Sequence, residues 1–281
     1  YYGSDNLKAF HQNLVNDFFS EEKRKKNQQL LKSYSTKYKI NAGEKIFDWI
    51  GNEYALVVTE PAGNNFDNNT YAIFNAKDIN RAKKSLSSVS RMVDKKSGNT
   101  VKEEFYNGHV IGNIGLNGVI PAIFGESFSR VNKMYYTAIE DYIIFGNQAA
   151  AIRSFIDEFR SGLLLYKTDF FQDVNSQFSP KCNHFVFVNP QLAISIFKSM
   201  ANDQWKKNAD QYKEIFSGIS SISYQFSTTA NGNSAEALVS FLKKADVEGV
   251  YQVFAIETDT TVSMKPLLTT DPVTKTRQLL F

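Results

Sequence analysis

Turn signals between apolar segments constrain this chain more than any other feature of its sequence. Asn107-Gly108 separates Val101–Tyr106 from His109–Leu116, and both segments have the composition of β-strands. Asn-Gly favours the left-handed dihedrals of a two-residue hairpin turn, so the two segments are predicted to pair antiparallel. Two more hairpins are predicted in the same way: Lys133–Ile139 with Tyr142–Phe145, and Ile219–Thr228 with Ala235–Leu242.

Amphipathic helices alternate with these strands. Ser20 precedes a charged helical segment, and Asp78–Val93 and Gln148–Arg160 place apolar residues at helical spacing. This combination predicts an α+β fold, with antiparallel sheets built from hairpins and helices packed mainly on one face. We expect the strands Tyr142–Phe145 and His184–Val188 to be central and buried, and the hairpin tip at Asn107-Gly108 to be exposed.

One local pattern occurs three times, as an aromatic strand that ends at an Asn before a helix. The three copies are Tyr71–Asn75, Tyr142–Asn147 and Phe185–Asn189. An Asn in this position can cap the free amide groups of the next helix. Both an old duplication and convergent use of one strand-to-helix joint explain the pattern.

The chain is predicted to have three parts: an N-terminal helical segment (1–43), a mixed α+β domain (44–258) and a C-terminal extension or the beginning of a further domain (259–281). From Lys265 onwards the sequence becomes rich in Pro and Thr and loses its periodicity. Since the sequence begins at Tyr1, we expect a signal peptide or membrane anchor to have been removed.

Charge and cysteine content narrow the classes of partner. The net charge is +3, and the densest basic run, Lys23–Lys26, follows Glu21 and Glu22, which is typical of a solvated and self-paired helix face. A nucleic-acid partner is therefore not expected. Cys182 is the only cysteine, so no internal disulfide forms. No apolar run approaches the ~20 residues that span a bilayer, so membrane contact is expected only through a removed N-terminal anchor.

No set of residues matches a known reaction centre. The three histidines, His11, His109 and His184, are far apart in sequence, and Cys182-Asn183-His184 lacks a second pair at zinc-site spacing. The glycines from Gly108 to Gly118 precede neither a Lys-Ser/Thr pair nor an expected helix, so they predict a twisted strand with close backbone neighbours rather than a phosphate loop. We predict no catalytic, cofactor-binding or metal-binding residues.

A ligand or partner surface is predicted at four residues. Tyr135 and Tyr136 lie near a hairpin and are candidates for stacking against a ligand, although cross-strand packing explains them equally well. His109 and His184 each open a strand. A hydrolase is the third functional alternative, and it requires one of these histidines to lie near a carboxylate and a nucleophile inside a cleft.

Several segments resemble an uncharacterised bacterial family, the domain of unknown function 3352. The resemblance covers residues 44–258 and rests on four segments: Phe47–Val58, Tyr136–Gln148, Gly162–Leu165 and Cys182–Pro190. It implies a cell-envelope protein with a signal peptide or single anchor, and residues 259–281 resemble the start of a propeller-like repeat region found in some members. It implies no catalytic residues.

Together these observations predict an extracytoplasmic protein, in the periplasm or on the cell surface, with a cytoplasmic location left open. We expect a non-enzymatic interaction or assembly module whose partner is another envelope protein or a downstream domain. An exposed apolar patch would favour this function. The alternative is a ligand-binding protein with an aromatic-lined cleft, which an apolar cleft with a few convergent polar groups would favour.

Overall fold

The computed structural model describes residues 1–59, 68–98, 103–200, 217–229, 232–242, 252–258, 267–270 and 277–280. These residues form two units, Tyr1–Thr168 and Asp169–Phe281. The predicted boundaries after residues 43 and 258 stay predictions.

The N-terminal unit consists of helices and one antiparallel sheet. Its helices are α1 (Leu7–Phe18), α2 (Glu21–Tyr38), α3 (Ala42–Phe47), α4 (Ile79–Ser97), α5 (Val119–Phe124) and α6 (Ala149–Ser161). Its strands are β1 (Tyr2–Gly3), β2 (Ile50–Val58), β3 (Thr70–Ala76), β4 (Glu104–Tyr106), β5 (His109–Asn113), β6 (Tyr135–Ile139) and β7 (Tyr142–Gly146). The order across the sheet is β1-β2-β3-β7-β6-β5-β4, and every pair is antiparallel.

Side chains alternate between the two faces of this sheet and meet helices on both. Phe74 and Phe145 belong to the larger core, which also contains Leu7 of α1, Tyr38 of α2 and Leu86 of α4. On the opposite face, β-strand residues such as Tyr71 and Ile144 pack against Ala151, Ile152 and Ile156 of α6. Most helices therefore lie on one face and α6 on the other, which confirms the α+β class.

Local sequence signals set most helix ends. Ser20 accepts a hydrogen bond from the amide of Lys23 at the start of α2, and Asp78 accepts from Asn80 and Arg81 at the start of α4. Gly162 ends α6 in a left-handed conformation with φ of 76°, which glycine adopts at little cost.

Both predicted hairpins of this unit are present. The first turns at Asn107 and Gly108, whose φ angles are 45° and 87°, and both residues are exposed. In the second, Glu140 has a φ of 50° and β6 pairs with β7. As predicted, β7 is central and buried, since it lies between β3 and β6 and four of its five residues are buried.

The C-terminal unit contains α7 (Asp169–Asn175), α8 (Pro190–Met200) and the strands β8 (His184–Val188), β9 (Ile219–Thr229), β10 (Gly232–Phe241) and β11 (Gln252–Thr258). Within this unit they pair antiparallel in the order β8-β9-β10-β11. A separate hairpin pairs β12 (Leu267–Thr270) with β13 (Arg277–Leu280), where the sequence predicted no strands.

Three predictions about local structure were wrong. Strand β8 is half-buried along its length, since only Phe185 and Phe187 pack against the cluster of Val174, Phe178 and Leu238. A helix does follow the glycine-rich segment, since α5 begins at Val119 directly after its N-cap residue Gly118, which has a φ of 73°.

The third error concerns the strand–Asn–helix pattern. Asn189 does cap α8, because its Oδ1 accepts from the amides of Gln191 and Leu192. In contrast, Asp78 rather than Asn75 caps α4. Asn147 Oδ1 accepts from the amides of Asn132 and Lys133, so this side chain holds the loop before β6 instead of capping α6.

Candidate functional site

The structure places Tyr135 and Tyr136 on opposite faces of the N-terminal sheet. Tyr136 is 6% exposed and lies 6.1 Å from the ring of Phe145, within the larger core. Burial raises its pKa to about 12. Tyr135 packs with the residues beneath α6. The two rings therefore do not form a common stacking surface.

The histidines of the predicted surface are held within the sheets. His109 Nδ1 lies 3.1 Å from the carbonyl oxygen of Ala138 on the neighbouring strand β6. In the C-terminal unit, the ring of His184 lies 6.3 Å from that of Tyr224, in an edge-on arrangement. Burial lowers the pKa of His184, which keeps the imidazole neutral at physiological pH.

His11, which is not among the residues of the predicted surface, lies in an aromatic cluster. Its ring is 5.1 Å from Phe124 and 6.5 Å from Tyr54. Burial lowers its pKa to about 4, although a hydrogen bond to the backbone of Ile123 opposes this shift by favouring the charged form. This environment suits a structural aromatic residue.

Cys182 is half-buried. Burial raises its pKa, and a hydrogen bond with Gln225 partly opposes this shift. A thiol with a raised pKa is a weak nucleophile at neutral pH. Within the described ranges, no group of three or more His, Cys, Asp or Glu side chains is placed to hold a metal ion.

The hairpin β4–β5 is joined to α6 by polar contacts. Arg153 Nη1 lies 2.7 Å and 2.8 Å from the two carboxylate oxygens of Glu104. One turn further along α6, Asp157 accepts hydrogen bonds from the hydroxyl of Tyr106 and the side-chain Nδ2 of Asn107, each at 2.8 Å. These contacts fix the hairpin and leave Phe105 on its outer side, 75% exposed.

A cleft with a volume of about 620 Å³ lies in the C-terminal unit. One wall is α7 and the turn after it, and the other is the sheet at β9 and β10. The cleft is lined by Phe170, Asp173, Val174, Ser176, Gln177, Ser220, Leu238, Ser240, Phe241 and Leu242.

Burial separates these side chains into a floor and a rim. Val174, Leu238, Ser220 and Ser240 are each less than 9% exposed and form the floor. Phe241 and Leu242 are about half exposed at the rim, where Asp173 is the charged member of the lining. The cleft therefore offers apolar contact together with buried hydroxyl groups that can donate and accept hydrogen bonds.

The sheet wall carries its polar side chains inward. Ser221, Ser223, Gln225 and Ser227 are buried, whereas Ile222 and Tyr224 on the alternate face are 39% and 38% exposed. Hydrogen bonds of the Gln225 side chain help to hold this polar face inward. Its Nε2 donates to the carbonyl of Ser179 at 2.8 Å, and its Oε1 accepts from the amide of Ser179 at 3.1 Å.

Ser227 adds a second contact to the same segment, because its hydroxyl donates to the carbonyl of Lys181 at 3.2 Å. The inward polar face of β9 therefore binds the chain between α7 and β8 and fixes the position of α7 over the cleft. Within the described ranges, the hydroxyls of Ser221 and Ser223 have no hydrogen-bond partner.

A smaller cavity, about 330 Å³, lies in the N-terminal unit beside the start of α1. Six of its nine lining residues are polar or charged, among them Asn6, Asn52, Asn75 and Lys77. None of the four residues predicted from sequence lines either cavity. The sequence signal beside the larger cleft was the alternation of polar residues with Ile, Tyr and Phe from Ser221 to Ser227, which marks a strand with one polar face.

None of the helices in the described ranges combines the length and apolar composition needed to cross a bilayer.

No curated protein and no solved structure matches the chain. The sequence profile of one family, described as a protein of unknown function (DUF3352), matches residues 4–264. That range includes the apolar strands and strand–Asn–helix joints on which the fold of both units depends, and the chain belongs to this family.

Proposed function

We propose that the chain is a non-catalytic binding module of the bacterial cell envelope, and that its C-terminal cleft binds a small amphipathic ligand. The observation that supports this is the pairing of an apolar floor, Val174 and Leu238, with the buried hydroxyls of Ser220 and Ser240. Ligand sites typically have volumes of roughly 300–1,000 Å³ and combine apolar walls with a few polar groups. The envelope location derives from the family resemblance.

The lining restricts the chemistry of the ligand. Phe170 and Phe241 offer aromatic contact, which favours a ring or an alkyl chain of similar width. Asp173 is the acidic residue of the lining, so the cleft disfavours anions. A neutral or cationic molecule with an apolar body and one or two hydroxyl or amine groups fits these constraints.

Binding is tested with N-phenyl-1-naphthylamine, a neutral aromatic amine whose fluorescence rises in an apolar site. We expect saturable binding at one site that is weakened by Phe241→Ser and by Ser240→Val. Phe105→Ser is the matched control, because it removes an exposed Phe of the N-terminal unit that is outside the cleft. Equal binding by Phe241→Ser and Phe105→Ser would contradict the proposal.

The outer face of β8 and β9 supports a second candidate function, docking of a partner protein. Ile222 and Tyr224 are exposed there, and Ile222 pairs across the sheet with Val188 and Val239, both half-buried. Tyr is enriched at protein interfaces, and the buried centre of an interface is more apolar than the rest of the protein surface. The proposed occupant is the apolar surface of another envelope protein.

This candidate is tested in cells with a photoreactive amino acid at position 224 and, as control, at position 105. We expect one discrete protein adduct from position 224 that disappears with Ile222→Ser. A similar adduct from position 105, or an adduct that survives Ile222→Ser, would count against docking at this face. Fractionation of the same cells tests the envelope location.

A further inference from the structure

Helix α4 carries a concentration of positive charge. Seven basic and two acidic residues lie between Lys77 and Ser97, a surplus of five positive charges in a chain whose net charge is +3. The basic run at Lys23–Lys26, by contrast, lies on α2.

The basic residues of α4 form a stripe on its outward side. The opposite side is closed, because Ala82, Leu86, Val89 and Val93 are at most 4% exposed in the larger core. Lys84, Ser88, Arg91 and Lys95 follow one another at three- and four-residue spacing, so they lie in line over about 16 Å of helix. All four are exposed.

This stripe differs from the basic run of α2 in its partners. In α2, Lys25 forms an ion pair with Glu21 at 2.7 Å, and Lys23 forms one with Glu126. No carboxylate of the described residues lies within 4 Å of a basic group on α4. Asp94, the acidic residue within α4, instead accepts a hydrogen bond from Ser90.

Helix stability accounts for only part of this charge. Lys95 and Lys96 lie in the last turn, where positive charge stabilises the negative end of the helix dipole. Lys83, Lys84 and Arg91 lie before that turn, where the dipole gives no such benefit. These three residues border a shallow groove of about 460 Å³ with Ser87, Ser88 and Met92.

We propose that the outward face of α4, defined by Lys83, Lys84, Ser87, Ser88, Arg91 and Lys95, binds the phosphate headgroups of an anionic phospholipid bilayer. Lys, Arg and Ser all donate hydrogen bonds to phosphate oxygens. The face has no aromatic side chain to stack on a base, which disfavours a single-stranded nucleic acid.

The structure also defines the mode of binding. Since the apolar side of α4 is used in the core, the helix cannot insert into the hydrocarbon and attaches by charge alone. Attraction of this kind falls within a Debye length of the surface and is weakened by salt. The binding is therefore peripheral, reversible and dependent on the content of anionic lipid.

The test is cosedimentation with vesicles of phosphatidylcholine alone and with vesicles in which phosphatidylglycerol replaces one third of it, at low and high salt. We expect binding to the mixed vesicles only, and its loss at high salt. Replacing Lys83, Lys84 and Arg91 together by Gln is expected to weaken binding about a hundredfold, since each basic residue near such a surface contributes about fivefold.

The matched control removes the same charge elsewhere, with Lys26→Gln, Lys133→Gln and Lys181→Gln combined, all at exposed positions. Both triple variants are compared with the unmodified chain for helix content and melting temperature. Equal loss of vesicle binding in both variants, no binding to mixed vesicles, or binding to duplex DNA without binding to vesicles would each overturn the proposal.

Discussion

The ring of Tyr136 fills the space beside the backbone of Gly112, its partner across β5 and β6. A Cβ atom built on Gly112 would lie 2.5 Å from Cζ of Tyr136. The glycine-rich segment is therefore, at this position, a strand with a close side-chain neighbour, as its sequence predicted. Tyr136, one of the four residues of the predicted surface, is part of the core.

Gly112→Ala is expected to destabilise the N-terminal unit by about 1–3 kcal/mol, because the added methyl group must displace a buried ring. Chemical denaturation measures the change. Gly43→Ala is the control, since the nearest atom to its added Cβ is 3.6 Å away. If both variants have the same stability, Tyr136 does not depend on Gly112 for its position.

Because His11 is buried, we expect the folded chain to lose stability in acid. Its pKa is about 4 in the folded chain, below the ordinary value of 6.5, so the unfolded chain binds a proton in this interval and the folded chain does not. The contribution of neutral His11 to the free energy of unfolding is fully present above pH ~6.5. It decreases as the pH falls, and about 3 kcal/mol has been lost near pH 4.

His11→Phe keeps a ring between Tyr54 and Phe124 and removes the titrating group. Denaturation curves measured from pH 7 to pH 4 should have a steeper decline in the unmodified chain than in this variant. An identical decline in both would show that other groups are responsible.

The side chain of Gln225 holds the segment before β8 by two hydrogen bonds to Ser179. It is 4% exposed, so Gln225→Leu is expected to cost about 1–3 kcal/mol by removing both bonds from a buried site. Gln225→Glu keeps the acceptor, loses the donor and adds a buried charge, so we expect it to be no more stable than the Leu variant. Gln177→Leu, at an exposed position, serves as control in thermal denaturation.

The ion pair between Glu104 and Arg153 is expected to contribute little. Both side chains are more than one-third exposed, so solvent and salt screen the pair. A double-mutant cycle with Glu104→Gln and Arg153→Gln should give a coupling energy of about 0.5 kcal/mol that decreases with salt. A coupling well above 1 kcal/mol would mean that the hairpin depends on this contact.

The strand–Asn–helix joints illustrate how far sequence prediction extended. All three copies have the same local pattern, and the strand and the helix are present in each. Only Asn189 caps its helix, while Asn147 bonds to Asn132 and Lys133 in the preceding loop. An amide side chain bonds to the nearest available groups, and residues fifteen positions away become near only after the sheet has formed.

The candidate site also combines features that the sequence predicts with features that only tertiary packing decides. The turn signal before Ala235–Leu242 predicted Ile219–Thr228 as a strand, but a turn signal does not specify which face of that strand points inward. Packing decides this, because Gln225 and Ser227 bond to the chain beside α7 and leave Ile222 and Tyr224 outside. The cleft also requires Phe170 and Phe241, which are 71 positions apart, to line one space.

By itself, the sequence determined the elements that short-range interactions specify: hairpin turns at Asn107-Gly108 and Glu140-Asp141, and the start of α2 at Ser20. Dihedral preference and capping act within a few residues, so they can be read from neighbours in the chain. The tertiary structure alone decided which strand faces are buried, that Tyr136 packs on Gly112, and that α4 is left with its charges outside. Those outcomes depend on which surfaces the folded chain brings together.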